Sequence, residues 1–149
     1  MDLPRLSIVI PAYNESQRIG SSLESILAYV RSRNLSAEII VVDDASSDNT
    51  AELVGGWARS HPEARLLSNS KNRGKGFSVR RGVLEARGEW VLFTDADLSA
   101  PIEETDKLVA ALEQEQAAAA VGSRALEREL VGIHQSFFRE WSGRFFNVL

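Results

Sequence analysis

Glu38-Ile39-Ile40-Val41-Val42-Asp43-Asp44 is a run of β-branched and apolar residues closed by two carboxylates. That is the pattern of a strand buried on both faces which delivers polar groups at its carboxyl end. The same pattern occurs earlier, where Leu6-Ser7-Ile8-Val9-Ile10 leads into Pro11-Ala12-Tyr13-Asn14-Glu15. It occurs again later, where Glu89-Trp90-Val91-Leu92-Phe93-Thr94 runs into Asp95-Ala96-Asp97. Ala64 to Ser68 reads as a weaker third strand. Ala117 to Val121 reads as a fifth, on its position before Gly122-Ser123-Arg124, although alanine prefers helix.

Helical segments separate these strands. Ile19, Leu23, Ile26, Leu27 and Val30 follow helical spacing, with Ser16 as the expected N-cap. Asp48-Asn49-Thr50 opens a second helix, which Gly55-Gly56 is expected to weaken or shorten. A third follows the polar loop Asn69 to Gly76 and ends at Arg87-Gly88, with Gly88 as its C′ residue. Pro101 fits the first turn of a fourth, running to about Gln116. Alternating strands and helices predict an α/β fold, a doubly wound and mostly parallel sheet with helices on both faces. Ligands of such sheets bind beyond the carboxyl ends of the strands. Pro11 to Glu15, Asp43-Asp44, Asp95 to Asp97 and Ser123-Arg124 are all expected at that edge.

The 149 residues suggest one domain with material for a core. Seventeen basic against 21 acidic residues leave a formal charge of −4, which argues against general nucleic-acid binding. Without cysteine there are no disulfides and no thiolate metal sites. No apolar stretch reaches membrane-spanning length. His61 and His134 are isolated, so metal chemistry here would use oxygen ligands.

Two carboxylates one residue apart, Asp95 and Asp97, can face a divalent cation and through it a diphosphate. Alone, such a pair is more often a turn or helix cap. Beside the other strand-end clusters it reads as a metal site. Asp44 could accept a hydrogen bond from a base or ribose, or simply close a turn with Ala45-Ser46-Ser47-Asp48. Gly74-Lys75-Gly76 could set an ammonium and backbone N–H groups near phosphates. It is not a Walker A loop, since position 69 is Asn and position 76 is Gly. Pro11 to Glu15 contains no glycine, which speaks against a dinucleotide-binding fingerprint. The stretch 132–149 holds four of the six Phe residues. Phe137, Phe138, Trp141, Phe145, Phe146 and Leu149 lie on helical spacing, interleaved with Arg139 and Arg144. This amphipathic aromatic segment fits an interfacial helix, and equally a core or subunit-contact helix that would make a homo-oligomer.

Taken in order, Ile8 to Glu15, Val41 to Thr50, Asn72 to Gly76 and Phe93 to Ser99 resemble family 2 inverting glycosyltransferases of the GT-A (Rossmann-like) fold. The likeness is to the polyprenyl-phosphate branch, near dolichyl-phosphate glucosyltransferases. The resemblance implies that Pro11, Ala12, Tyr13, Glu15, Val42 and Asp44 surround base and ribose, with Asp44 bonding the base. It implies Lys75 near the phosphates, Asp95, Ala96 and Asp97 at the ribose-diphosphate and metal, and Arg124 near the donor or acceptor phosphate. Asp97 is the expected direct ligand of Mg²⁺ or Mn²⁺. Ser99 stands where some relatives carry a Gln that helps hold the metal. The expected reaction moves a sugar, glucose by this likeness, from a UDP-sugar to a polyprenyl phosphate with inversion. The expected place of work is the cytoplasmic face of a membrane, as a peripheral protein. Family members continue past a position like Leu149, so a nucleotide-sugar-binding domain truncated at its C-terminus is expected over 1–149. The alternatives are a transferase to a sugar or small-molecule hydroxyl, and a nucleotide-binding module without turnover.

Overall fold

The computed structural model describes residues 3–122, so Arg124, His134 and the aromatic segment 132–149 lie outside the described residues. The chain divides into two compact units, Met1–Lys107 and Leu108–Leu149. The first carries strands β1 (Leu6–Ala12), β2 (Ala37–Asp43), β3 (Ala64–Ser68) and β4 (Trp90–Phe93). Between them run helices α1 (Ile19–Ser32), α2 (Thr50–Arg59) and α3 (Lys75–Glu85). A 3₁₀ turn at Ile102–Glu104 leads into α4 (Thr105–Glu115).

All strand pairs are parallel, in the order β3-β2-β1-β4. The chain moves outward from β1 through β2 to β3, and α3 then carries it back across to β4 on the other side of β1. The strand order therefore reverses between β1 and β4, and the carboxyl edge opens a crevice there.

Alternation within β1 and β2 divides the core into two layers. Leu6, Ile8, Ile10, Ile39 and Val41 meet Ile19, Leu23, Ile26 and Val30 of α1 and Val54 of α2. Val9, Ile40 and Val42 form the opposite layer with Leu67 and Ala86. There α3 lies so close that a Cβ on Gly82 would sit 2.3 Å from Val9 Cγ1, so only glycine fits. Strands covered on both faces are predominantly apolar, and the buried polar side chain of β1, Ser7, donates to Glu38 Oε1 at 2.6 Å. Each helical-spacing residue named for α1 is buried.

Four local expectations need correction. α1 begins at Ile19 with Arg18 at the cap position, and the Ser16 N–H donates to Asp48 Oδ2 at 3.2 Å instead. Gly55-Gly56 do not shorten α2, which runs ten residues through both. α3 stops at Glu85, where Ala86 turns extended, so Gly88 is not its C′ residue; the Gly88 N–H donates to Ser7 Oγ at 2.8 Å. Ala117 to Val121 forms no strand. α4 ends at a left-handed Gln116, with the Ala117 N–H on Leu112 O. Alanine methyls offer a strand too little area to bury.

Candidate functional site

A cleft of about 260 Å³ opens where the strand order reverses, lined by Pro11, Ala12, Tyr13, Glu15, Asp44, Lys75, Ser78, Asp95, Ala96 and Asp97. Each group reaches it by a simple local route. After β1 the chain turns at Asn14, whose φ is 55°. Asn14 Oδ1 accepts the Ser47 N–H at 2.8 Å and the Asp48 N–H at 3.3 Å, and the Asn14 N–H donates to Ser46 Oγ at 3.0 Å. The Glu15 N–H donates to Thr50 Oγ1 at 2.9 Å. The loops after β1 and β2 are thereby fastened together, and Tyr13 and Glu15 are held on the cleft wall. Asp48 is the buckle: it accepts the Thr50 hydroxyl at 2.5 Å and the Thr50 N–H at 3.0 Å. The Thr50 hydroxyl is the main reason its carboxyl is pulled down to about 2.

Across the cleft, β4 is followed after Thr94 by Asp95-Ala96-Asp97. Ala96 is buried, and its carbonyl accepts Ser22 Oγ–H from α1 at 2.7 Å. The turn that follows β4 sets both carboxylates, and Ala96 between them, on the cleft wall. The Ser99 hydroxyl and N–H donate to Asp97 Oδ1 at 2.7 and 3.0 Å. Those bonds, the side-chain one first, hold the Asp97 carboxyl below its usual value of 3.8. Asp95 Oδ1 is paired with Lys75 Nζ at 2.5 Å. Lys75 is the first residue of α3 and follows Gly74, whose φ of 86° suits glycine.

Asp44 lines the cleft but is only 3% exposed. Its Oδ1 accepts the Arg73 N–H at 2.9 Å and Asn69 Nδ2–H at 2.6 Å, and its Oδ2 accepts the Gly74 N–H at 2.7 Å. Burial pushes this carboxyl up, but the bonds from Asn69, Arg73 and Gly74 outweigh it, leaving it below 3.8. Of the residues expected here, Val42 is not brought to the cleft. Strand alternation turns it into the layer beneath α3, where it is fully buried beside Val9 and Ile40. Ser99 does not line the cleft, but its hydroxyl bonds Asp97, which does. Asp43 does not line the cleft; its Oδ2 accepts the Ser46 N–H at 3.3 Å. Sequence reading passes over Asn69 and Ser78, both buried at this edge. The signal is positional: Asn69 follows β3 as Asp44 follows β2.

Four carboxylates and one ammonium line the cleft. A diphosphate would be repelled from such a surface unless a cation came with it. Among the described residues no set of three His, Cys, Asp or Glu could hold a metal alone. Asp95 and Asp97 instead suit a hard divalent ion that completes its shell with phosphate oxygens and water. The residues present fit such an ion.

The parallel sheet with this order is a doubly wound α/β arrangement, and its likeness to solved glycosyltransferases puts it in the GT-A class. Glycosyl transferase family 2 matches residues 7–135, and the chain belongs to that family. A dolichyl-phosphate beta-glucosyltransferase of Trichomonas vaginalis is 40% identical over 152 residues, covering 96% of this chain and 45% of that protein. The Drosophila melanogaster dolichyl-phosphate beta-glucosyltransferase is 41% identical, covering 90% of this chain and 45% of that one. The chain thus spans about half the length of the curated relatives it matches. Among solved structures, a mannosyltransferase from Pyrobaculum calidifontis in complex with GDP-Man and Mn²⁺ matches with a TM-score of 0.58 and 35% identity, covering 70% of this chain and 31% of that one. S. aureus TarS in complex with UDP-GlcNAc matches with a TM-score of 0.60 and 25% identity, covering 91% and 38%.

Proposed function

We propose that this chain is the donor-binding part of a metal-dependent hexosyltransferase that moves glucose from UDP-glucose to a polyprenyl phosphate, inverting the anomeric centre. The observation that carries the reading is the cleft itself, where Asp95 and Asp97 face Lys75 and the first turn of α3 across the sheet reversal. The names of the relatives support the acceptor and the sugar; those of the solved complexes support a nucleotide-sugar donor and a divalent cation.

Tyr13 and Glu15, with Pro11 and Ala12 behind them, face the base and ribose. Asp44, which lines the cleft, is assigned to the base as the acceptor of a uracil N3–H. Lys75 and the N–H groups at the start of α3 face the diphosphate. Asp95 and Asp97 would hold Mg²⁺ or Mn²⁺, which neutralises charge on the departing diphosphate. The acceptor oxygen forms its bond to the anomeric carbon as the bond from that carbon to the diphosphate oxygen breaks. A phosphate acceptor is already ionised near neutral pH, so no strong base is required of the protein. Arg124 is assigned to a donor or acceptor phosphate. The aromatic segment 132–149 is assigned to the membrane surface where a polyprenyl phosphate presents its head group.

A panel of nucleotide sugars tested for thermal stabilisation, with and without Mn²⁺, checks this reading. UDP-glucose should raise the melting temperature most, and only with the metal. Equal stabilisation in chelator, or by no nucleotide sugar at all, would overturn it.

A further inference from the structure

A chain of polar side chains runs from half-buried Arg81 on α3, through buried Asn69, to Asp44 at the cleft. Arg81 Nη1 donates to Ser68 O and to Asn69 Oδ1, each at 2.7 Å. Asn69 Nδ2 donates to Asp44 Oδ1 at 2.6 Å and to Ser78 Oγ at 3.0 Å. Asp44 in turn holds the Arg73 and Gly74 N–H groups, and Gly74 leads directly into Lys75. Asn69 and Asp44 are 7% and 3% exposed, and Ser78 is fully buried.

The chemistry of this chain is directional. A guanidinium only donates and a carboxylate only accepts. The side chain between them must therefore accept on one side and donate on the other, and only a carboxamide of this length spans both. Arg81 sets which end of the Asn69 amide faces Asp44. Were the amide reversed, two oxygens would face each other in a buried space, and the loop anchor would be lost.

We infer that Arg81 and Asn69 are positioning residues for the diphosphate. Acting through Asp44, they fix the Arg73-Gly74 turn and so aim the Lys75 ammonium and the start of α3 at the cleft. The inference rests on the reading of the cleft as a nucleoside-diphosphate site. Arg81 does not line that cleft, and the chain of bonds is the contact that joins it to Asp44.

The test uses Arg81→Gln, Arg81→Lys, Lys75→Ala and the Arg81→Gln/Lys75→Ala double variant, each titrated calorimetrically with uridine diphosphate and with uridine in Mn²⁺. Arg81→Gln should weaken the diphosphate roughly tenfold, the weight of one hydrogen bond to a charged group, and leave uridine within about twofold. Arg81→Lys, which keeps a cationic donor, should recover most of the loss. In the Lys75→Ala background Arg81→Gln should have a smaller effect than in the parent, because both act on the Lys75 contact. Amide exchange at Arg73 and Gly74, measured without ligand, should quicken in Arg81→Gln. Should that variant not fold, Asn69→Ser breaks the next link and carries the same readouts. Uridine and uridine diphosphate weakening together, additive effects with Lys75→Ala, or unchanged exchange would each overturn the inference. If the parent binds neither ligand, the nucleotide reading falls, while amide exchange still decides whether the chain of bonds fastens the turn.

Discussion

Lys75 Nζ lies 2.5 Å from Asp95 Oδ1, joining the first turn of α3 to the end of β4 across the cleft. The two side chains are 59% and 46% exposed, so water screens the pair and it adds little to stability. Lys75→Ala should therefore leave the melting temperature nearly unchanged. Uridine diphosphate affinity should fall by about 1.5–3 kcal/mol, the range for a hydrogen bond to a charged group. Calorimetry beside a thermal melt checks both halves.

Asp97→Asn keeps the shape of the side chain and removes its charge. Nucleoside-diphosphate binding should lose its dependence on Mn²⁺, so that titrations with and without chelator coincide. The pH dependence follows from the lowered Asp97 carboxyl. Its charge should persist below pH 3.8 and be lost only as pH falls through the depressed value. Ser99→Ala removes the first cause of that depression, so the acid limb of binding should move to higher pH.

Asp44→Ala should be costly in stability as well as in binding. It leaves the Arg73 and Gly74 N–H groups and the Asn69 amide without their acceptor. Unpaired buried donors cost about 1–3 kcal/mol each, so a loss near or above 3 kcal/mol is expected in urea unfolding. The sign with pH is fixed by the same bonds. Its folded carboxyl is depressed, so this stability is present above 3.8 and is lost as pH drops through the lower folded value.

Gly82→Ala separates fold from site. The added methyl would meet Val9 Cγ1 at 2.3 Å and Val42 Cγ2 at 3.1 Å, forcing α3 away from the sheet. Overpacking of this kind costs about 1–3 kcal/mol. Chemical denaturation should show that loss, and nucleotide affinity measured well below the melting temperature should change far less.

The sequence by itself determined the four strands, the helices between them and the polar residues at the strand ends. Those signals are local: an unbroken β-branched run, helical spacing from Ile19 to Val30, a carboxylate pair after Phe93. They hold because a strand covered on both faces is mostly apolar, and the chain turns polar where it leaves the sheet. It did not determine which partner each strand-end group takes. Asp44 bonds Asn69, 25 residues on, and Lys75 pairs with Asp95, 20 residues on. Ser16, a helix cap by local rules, is held by Asp48 instead. Val42, one residue from the strand end, turns inward because strand alternation decides its face. Ala117 to Val121 stayed out of the sheet because alanine carries no strand signal of its own. A carboxylate after a strand can serve a ligand or a neighbouring loop with equal chemistry. Only the packing of α3 against the sheet, which brings the Arg73-Gly74 turn within 3 Å of Asp44, made that choice.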